Sequence, residues 1–62
     1  MKNNLQKIRW EKNLSQKMLA QKSSVPQSVI SSVENGLTIP NLITALRLAK
    51  ALGVAVEDIF KI

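Results

Sequence analysis

Residues that start or stop helices recur so often in this 62-residue chain that no long element fits between them. Asn13 can take the left-handed conformation that ends a helix begun near Asn4 and running to about Lys12. Ser15, two positions on, is an N-cap for a second helix from Gln16 to about Lys22. Pro26 suits the start of a third, where its missing N–H is no loss, and Gly36 stops that helix just past Asn35. Asn41 then caps a fourth helix over Leu42 to Leu52, which Gly53 ends. The last stretch, "VEDIFKI", predicts a short fifth helix with Glu57 and Asp58 in its first turn, where the helix dipole favours acids. No segment reads as a strand. The class is all-α: five short helices in a single domain, residues 1–62.

The apolar spacing predicts which sides face inward: Leu5 and Ile8 in the first helix, Leu19 and Ala20 in the second. In the fourth, Leu42, Leu46, Ala49 and Leu52 form one stripe. A chain of this size buries only about 60% of its unfolded surface, so nearly every apolar residue is needed.

Composition removes several kinds of function. With no Cys and no His there is no disulfide framework, no ordinary zinc site and no ordinary general base. Only four carboxylates are present, and both glycines sit at helix ends rather than in a phosphate-binding loop. This argues against an enzyme and implies no cofactor, metal or small-molecule ligand. No apolar run approaches the ~20 residues of a membrane span, and the start carries no signal-peptide core. The expected setting is the cytoplasm, with no membrane partner.

The charge of +5 is spread unevenly. Lys2, Lys7, Arg9, Lys12, Lys17 and Lys22 face only Glu11 in the first third, whereas acids and bases balance from Ser23 onward. Such asymmetry suits either a polyanionic partner or a merely well-hydrated helix surface.

From Ser23 to Val33 the chain has no charge at all. On a helical wheel Pro26, Val29, Ile30 and Val33 share one arc, leaving Gln27, Ser28, Ser31 and Ser32 on the other side. An ordinary solvated face would carry Lys and Glu. Short neutral groups suit a face that enters a groove, since Gln can bond an adenine edge bidentately and Ser can bond any base. A helix whose exposed side merely happens to be serine-rich is the other reading.

Taken in order, "LSQKMLAQKSSV", "SVENG", "LAKALGV" and "EDIF" resemble the lambda-repressor/Cro-type (XRE-like) helix-turn-helix family over Leu5 to Phe60. The resemblance implies a compact five-helix bundle whose helix-turn-helix spans about residues 16–35, with a recognition helix at about 26–35 in the major groove. It implies base readout by Gln27, Ser28 and Ser32, and backbone contacts by Gln16, Lys17 and Asn35, with Gln16 also hydrogen-bonded to Gln27. Arg9 and Glu34 match the family's structural ion pair between the first and third helices. Lys17 stands where Glu is usual, Ser24 where the turn usually has Gly, and Pro26 where a capping Ser or Thr is common. "LTI" after Gly36 replaces basic residues, leaving Leu37 and Ile39 to contact either a partner subunit or their own core. Trp10 and Met18 point away from the inward stripes, toward an interface or toward the seam between the first two helices.

The function expected from the resemblance is sequence-specific binding of double-stranded DNA by a transcriptional repressor or regulator. One unit covers only a few base pairs, so a homodimer on a palindromic operator is expected, with half-sites about 34 Å apart. Ile59, Phe60 and Ile62 exceed what so short a helix needs for burial and are the candidate dimer surface; alternatively Ile59 and Phe60 close the core. The same fold also serves antitoxins and adaptors, so a protein partner is the second reading.

Overall fold

The computed structural model describes residues 3–60. Five helices follow one another: α1 (Leu5–Glu11), α2 (Gln16–Ser23), α3 (Gln27–Glu34), α4 (Leu42–Leu52) and α5 (Val56–Ile59). No strand occurs among the described residues.

Three of the five helices end by one device. Asn13, Gly36 and Gly53 have φ of 58°, 73° and 70°. Each is followed by a residue whose N–H bonds a carbonyl five positions back: Leu14 to Arg9 (3.1 Å), Leu37 to Ser32 (2.9 Å) and Val54 to Ala49 (3.1 Å). A left-handed residue reverses the chain so that one N–H can close over carbonyls the helix leaves unpaired. Starts are handled by side chains: Ser15 Oγ accepts from Met18 N (3.0 Å) and Asn41 Oδ1 from Thr44 N (2.8 Å). In α5, Asp58 Oδ2 accepts from Ala55 N (3.1 Å).

The turn between α2 and α3 differs. Ser24 takes φ 60°, ψ 30° and is exposed, so an L side chain sits in left-handed backbone without a buried contact to favour it. Beside it Ser23 is buried, donating to Leu19 O (2.6 Å) and accepting from Val25 N (3.3 Å). We expect Ser24→Gly to relieve more backbone strain than it adds in unfolded-chain entropy, for a net stabilisation of about 0.5–1 kcal/mol. A thermal melt would read this as a rise of a few degrees; a lowered midpoint would mean that Ser24 contributes a contact that Gly lacks.

Leu5, Leu19, Ile30, Val33, Leu48 and Ile59 are fully buried, so every helix contributes to one core. The inward side of α4 is Ala45, Leu48, Ala49 and Leu52. This corrects the stripe expected from spacing, because Leu42 and Leu46 lie outside. Apolar residues surround most of α4, so both stripes satisfy helical periodicity and only packing chooses the phase. α4 lies against α2 and α5. Ile59 and Phe60 pack into the core rather than standing free for a partner: α5 is so short that both residues are needed to close the end of the bundle. Ile62, assigned with them, lies outside the described residues.

The amino-terminal segment ties both ends of the chain together. Asn4 N donates to Ile59 O (2.8 Å), and Asn3 Nδ2 donates to Val33 O (2.8 Å), a carbonyl in the last turn of α3. The position of α3 is thereby fixed from its carboxyl end as well as from its buried face.

Candidate nucleic-acid interface

α3 is held by Ile30 and Val33, with Val29 partly buried beside them. Its opposite side presents Gln27 and Ser28, both exposed, and Ser31 and Ser32, both half-buried. Pro26 precedes the helix with φ −56° and offers no capping side chain. The first turn of α3 is therefore closed by backbone alone, Val29 N and Ile30 N both donating to Pro26 O (3.0 and 3.1 Å). Gln27, Ser28 and Ser32 thus share one accessible, uncharged face, and Asn35 follows it with its side chain exposed.

Glu34, the only acid of α3, is withdrawn from that face. Its side chain is 2% exposed and that of Arg9 7%. Arg9 Nε donates to Glu34 Oε2 (2.7 Å) and Nη2 donates to Oε1 (3.1 Å), a bidentate pair joining α1 to α3. Arg9 Nη1 also donates to Leu14 O (2.9 Å). The pair takes Arg9 out of the surface charge, leaving Lys7, Lys12, Lys17 and Lys22 as exposed cations of the first two helices.

Gln16 departs from its expected partner. Its Nε2 donates to Glu34 Oε1 (3.0 Å) instead of bonding Gln27. The carboxylate buried between α1 and α3 is a stronger acceptor than an exposed amide, and Gln16 is half-buried beside it. An amide nitrogen carries two hydrogens, so one remains for a ligand. The sequence offered no signal for this bond, because residues 18 positions apart come together only in the folded chain. Lys17, one position on, is exposed in the first turn of α2.

Trp10 and Met18 are exposed, and the Arg9 guanidinium carbon lies 6.0 Å from the Trp10 ring centroid. A second exposed apolar group was not foreseen as a unit: Leu37, Ile39, Leu42, Ile43 and Leu46. The unbroken lack of charge from Gly36 to Leu46 was the available signal.

This succession of helices, with α2 packed against α3, recurs in other proteins. A family model described as helix-turn-helix matches residues 5–59. An uncharacterized HTH-type transcriptional regulator of Methanocaldococcus jannaschii is 43% identical over 60 residues, covering 97% of this chain and 91% of that one. The uncharacterized HTH-type transcriptional regulator YgzD of Bacillus subtilis is 32% identical with the same coverage of both chains. Among solved structures, the restriction-modification controller protein C.AhdI of Aeromonas hydrophila superposes with a TM-score of 0.84 at 34% identity, over 89% of this chain and 83% of that one. With its helices, turn and buried pair in one frame matched from α1 to α5, the chain belongs to the Cro/C1-type helix-turn-helix family.

Proposed function

We propose that this protein is a sequence-specific double-stranded DNA-binding transcriptional regulator, a repressor that occupies a palindromic operator as a homodimer. The observation that carries the reading is the face of α3: solvent-accessible, polar, free of charge, and backed by the core in a chain of net charge +5. Charged side chains there would grip phosphates without regard to sequence; short neutral ones discriminate among bases. Gln27 bonds an adenine edge through its amide, and Ser28 and Ser32, one turn apart, reach neighbouring base edges. Lys17, Asn35 and the second hydrogen of the Gln16 amide contact the phosphate backbone. Arg9 and Glu34 set the angle of α3 and touch no DNA.

Chemistry at this surface is recognition rather than catalysis: the protein is no enzyme and takes no cofactor. It acts in the cytoplasm. No helix among the described residues is long and apolar enough to cross a membrane.

Selection of bound duplexes from a random pool tests the whole reading. The expected result is a short consensus repeated with two-fold symmetry; failure to enrich any sequence would sink it. The division of labour gives a second check. Lys17→Ala should weaken binding to all sequences alike and reduce the slope of log affinity against log salt by about one. A change confined to one sequence would instead make Lys17 a base contact.

A further inference from the structure

Three cations meet where α2 lies against α4. Lys22, in the last turn of α2, joins Arg47 and Lys50, three positions apart on α4, around a concavity of about 350 Å³. Ser23 and Ala51 complete its lining. All three cations are exposed, and none is in an ion pair among the described residues, where the one salt bridge is Arg9–Glu34.

An evenly basic surface does not account for this grouping. From Ser23 to Ile62 the bases are Arg47, Lys50 and Lys61, and two of them stand here. The helix dipole accounts for Lys22 and Lys50, each in the last turn of its helix. It does not account for Arg47, which lies mid-helix and adds a like charge one turn from Lys50.

We propose that this concavity binds the phosphate or diphosphate group of a small molecule. A guanidinium grips two phosphate oxygens at once, and the two ammonium groups add point charges beside it. The short side chains of Ser23 and Ala51 leave the room between them. The Ser23 hydroxyl proton is already given to Leu19 O (2.6 Å), so the anion is held by the cations and not by the floor. Ligand pockets run from about 300 to 1,000 Å³, and this one lies at the small end. No aromatic or large apolar side chain lines it, so charge rather than a base or an acyl chain is what it recognises. The DNA-contacting side lies elsewhere: Lys22 is five positions from Lys17, about 140° round α2. The site therefore does not rest on the DNA reading. Composition implies no ligand because Lys22 and the α4 cations come together only when α2 packs on α4.

Pyrophosphate added to the free protein at constant ionic strength, with backbone amide shifts as the readout, tests this without DNA. Saturable shifts confined to Lys22, Ser23, Arg47, Lys50 and Ala51 are expected. Arg47→Ala should weaken binding at least about tenfold by removing the bidentate grip. Ala51→Leu keeps every charge but fills the concavity, and should weaken binding comparably. Ala and Leu both favour helix, so helical circular dichroism should be unchanged in each. Shifts that never saturate and spread equally over Lys7, Lys12 and Lys17 would be counterion screening and would overturn the proposal. So would either folded variant binding as tightly as the wild type. A duplex arm separates the sources of phosphate: Arg47→Ala should bind DNA nearly as well as the wild type. An equal loss on every duplex would make the cluster a DNA-backbone contact and overturn the small-molecule assignment. Saturable pyrophosphate binding by a protein that selects no DNA would support this site and overturn only the DNA reading.

Discussion

Arg9→Ala should lower the stability of the free protein by about 3–5 kcal/mol, the cost of leaving one member of a buried ion pair without its partner. The loss falls on Glu34, whose side chain is 2% exposed and would keep only the Gln16 amide as a donor. Leu14 O loses its guanidinium donor at the same time. For a domain of this size each kcal/mol moves the melting midpoint by about 4–8 °C, so the variant should melt at least ten degrees lower or fail to fold at room temperature. Scanning calorimetry without DNA reads this directly. Replacing both residues with apolar ones, Arg9→Met with Glu34→Leu, should recover most of the loss, because the pair is costly to desolvate. A midpoint unmoved by Arg9→Ala would mean that α1 and α3 are held by apolar packing alone.

That pair also shows what kind of information a sequence carries. Asn13, Gly36 and Gly53 could be placed as helix ends because each acts through its own backbone, at φ near +60 to +70°. Ser15 and Asn41 could be placed as caps because the bond they make reaches only three residues along the chain. These are local events, and local spacing determines them. The Arg9–Glu34 contact was legible only through family resemblance, since nothing near either residue calls for the other.

Where a side chain's partner depends on the assembled bundle, spacing misleads. In α4, Leu42–Leu46–Ala49–Leu52 and Ala45–Leu48–Ala49–Leu52 are both good stripes, and the second is buried because α2 and α5 lie on that side. The same error has a second consequence: two leucines counted toward the core belong to the exposed patch beside α3. At the carboxyl end spacing leaves two readings open for Ile59 and Phe60, partner surface or core, and their burial selects the core. Gln16 was matched to Gln27, and the buried carboxylate took its amide. Each shift follows from one fact, that burial and hydrogen bonding are settled between elements.

Gln27→Ala should have the largest effect on recognition. It should cost about 1–3 kcal/mol at the selected operator, roughly 5- to 150-fold in affinity, and relax preference at a single base pair. Stability should be nearly untouched, because Gln27 is exposed at the first position of α3 and Ala is a good helix former. The two substitutions therefore separate two roles within one short motif. Arg9→Ala damages the fold and every affinity with it, whereas Gln27→Ala leaves the folded protein bound to unrelated duplexes as before. Competition binding with the operator, a duplex altered at the affected base pair, and an unrelated duplex distinguishes these outcomes. If Gln27→Ala weakens all three equally, the residue is a backbone contact, and the reading face must be centred further along α3, on Ser28, Ser31 and Ser32. A uniform loss with an unchanged base preference would remove the amide–adenine contact from the mechanism while keeping α3 in the groove.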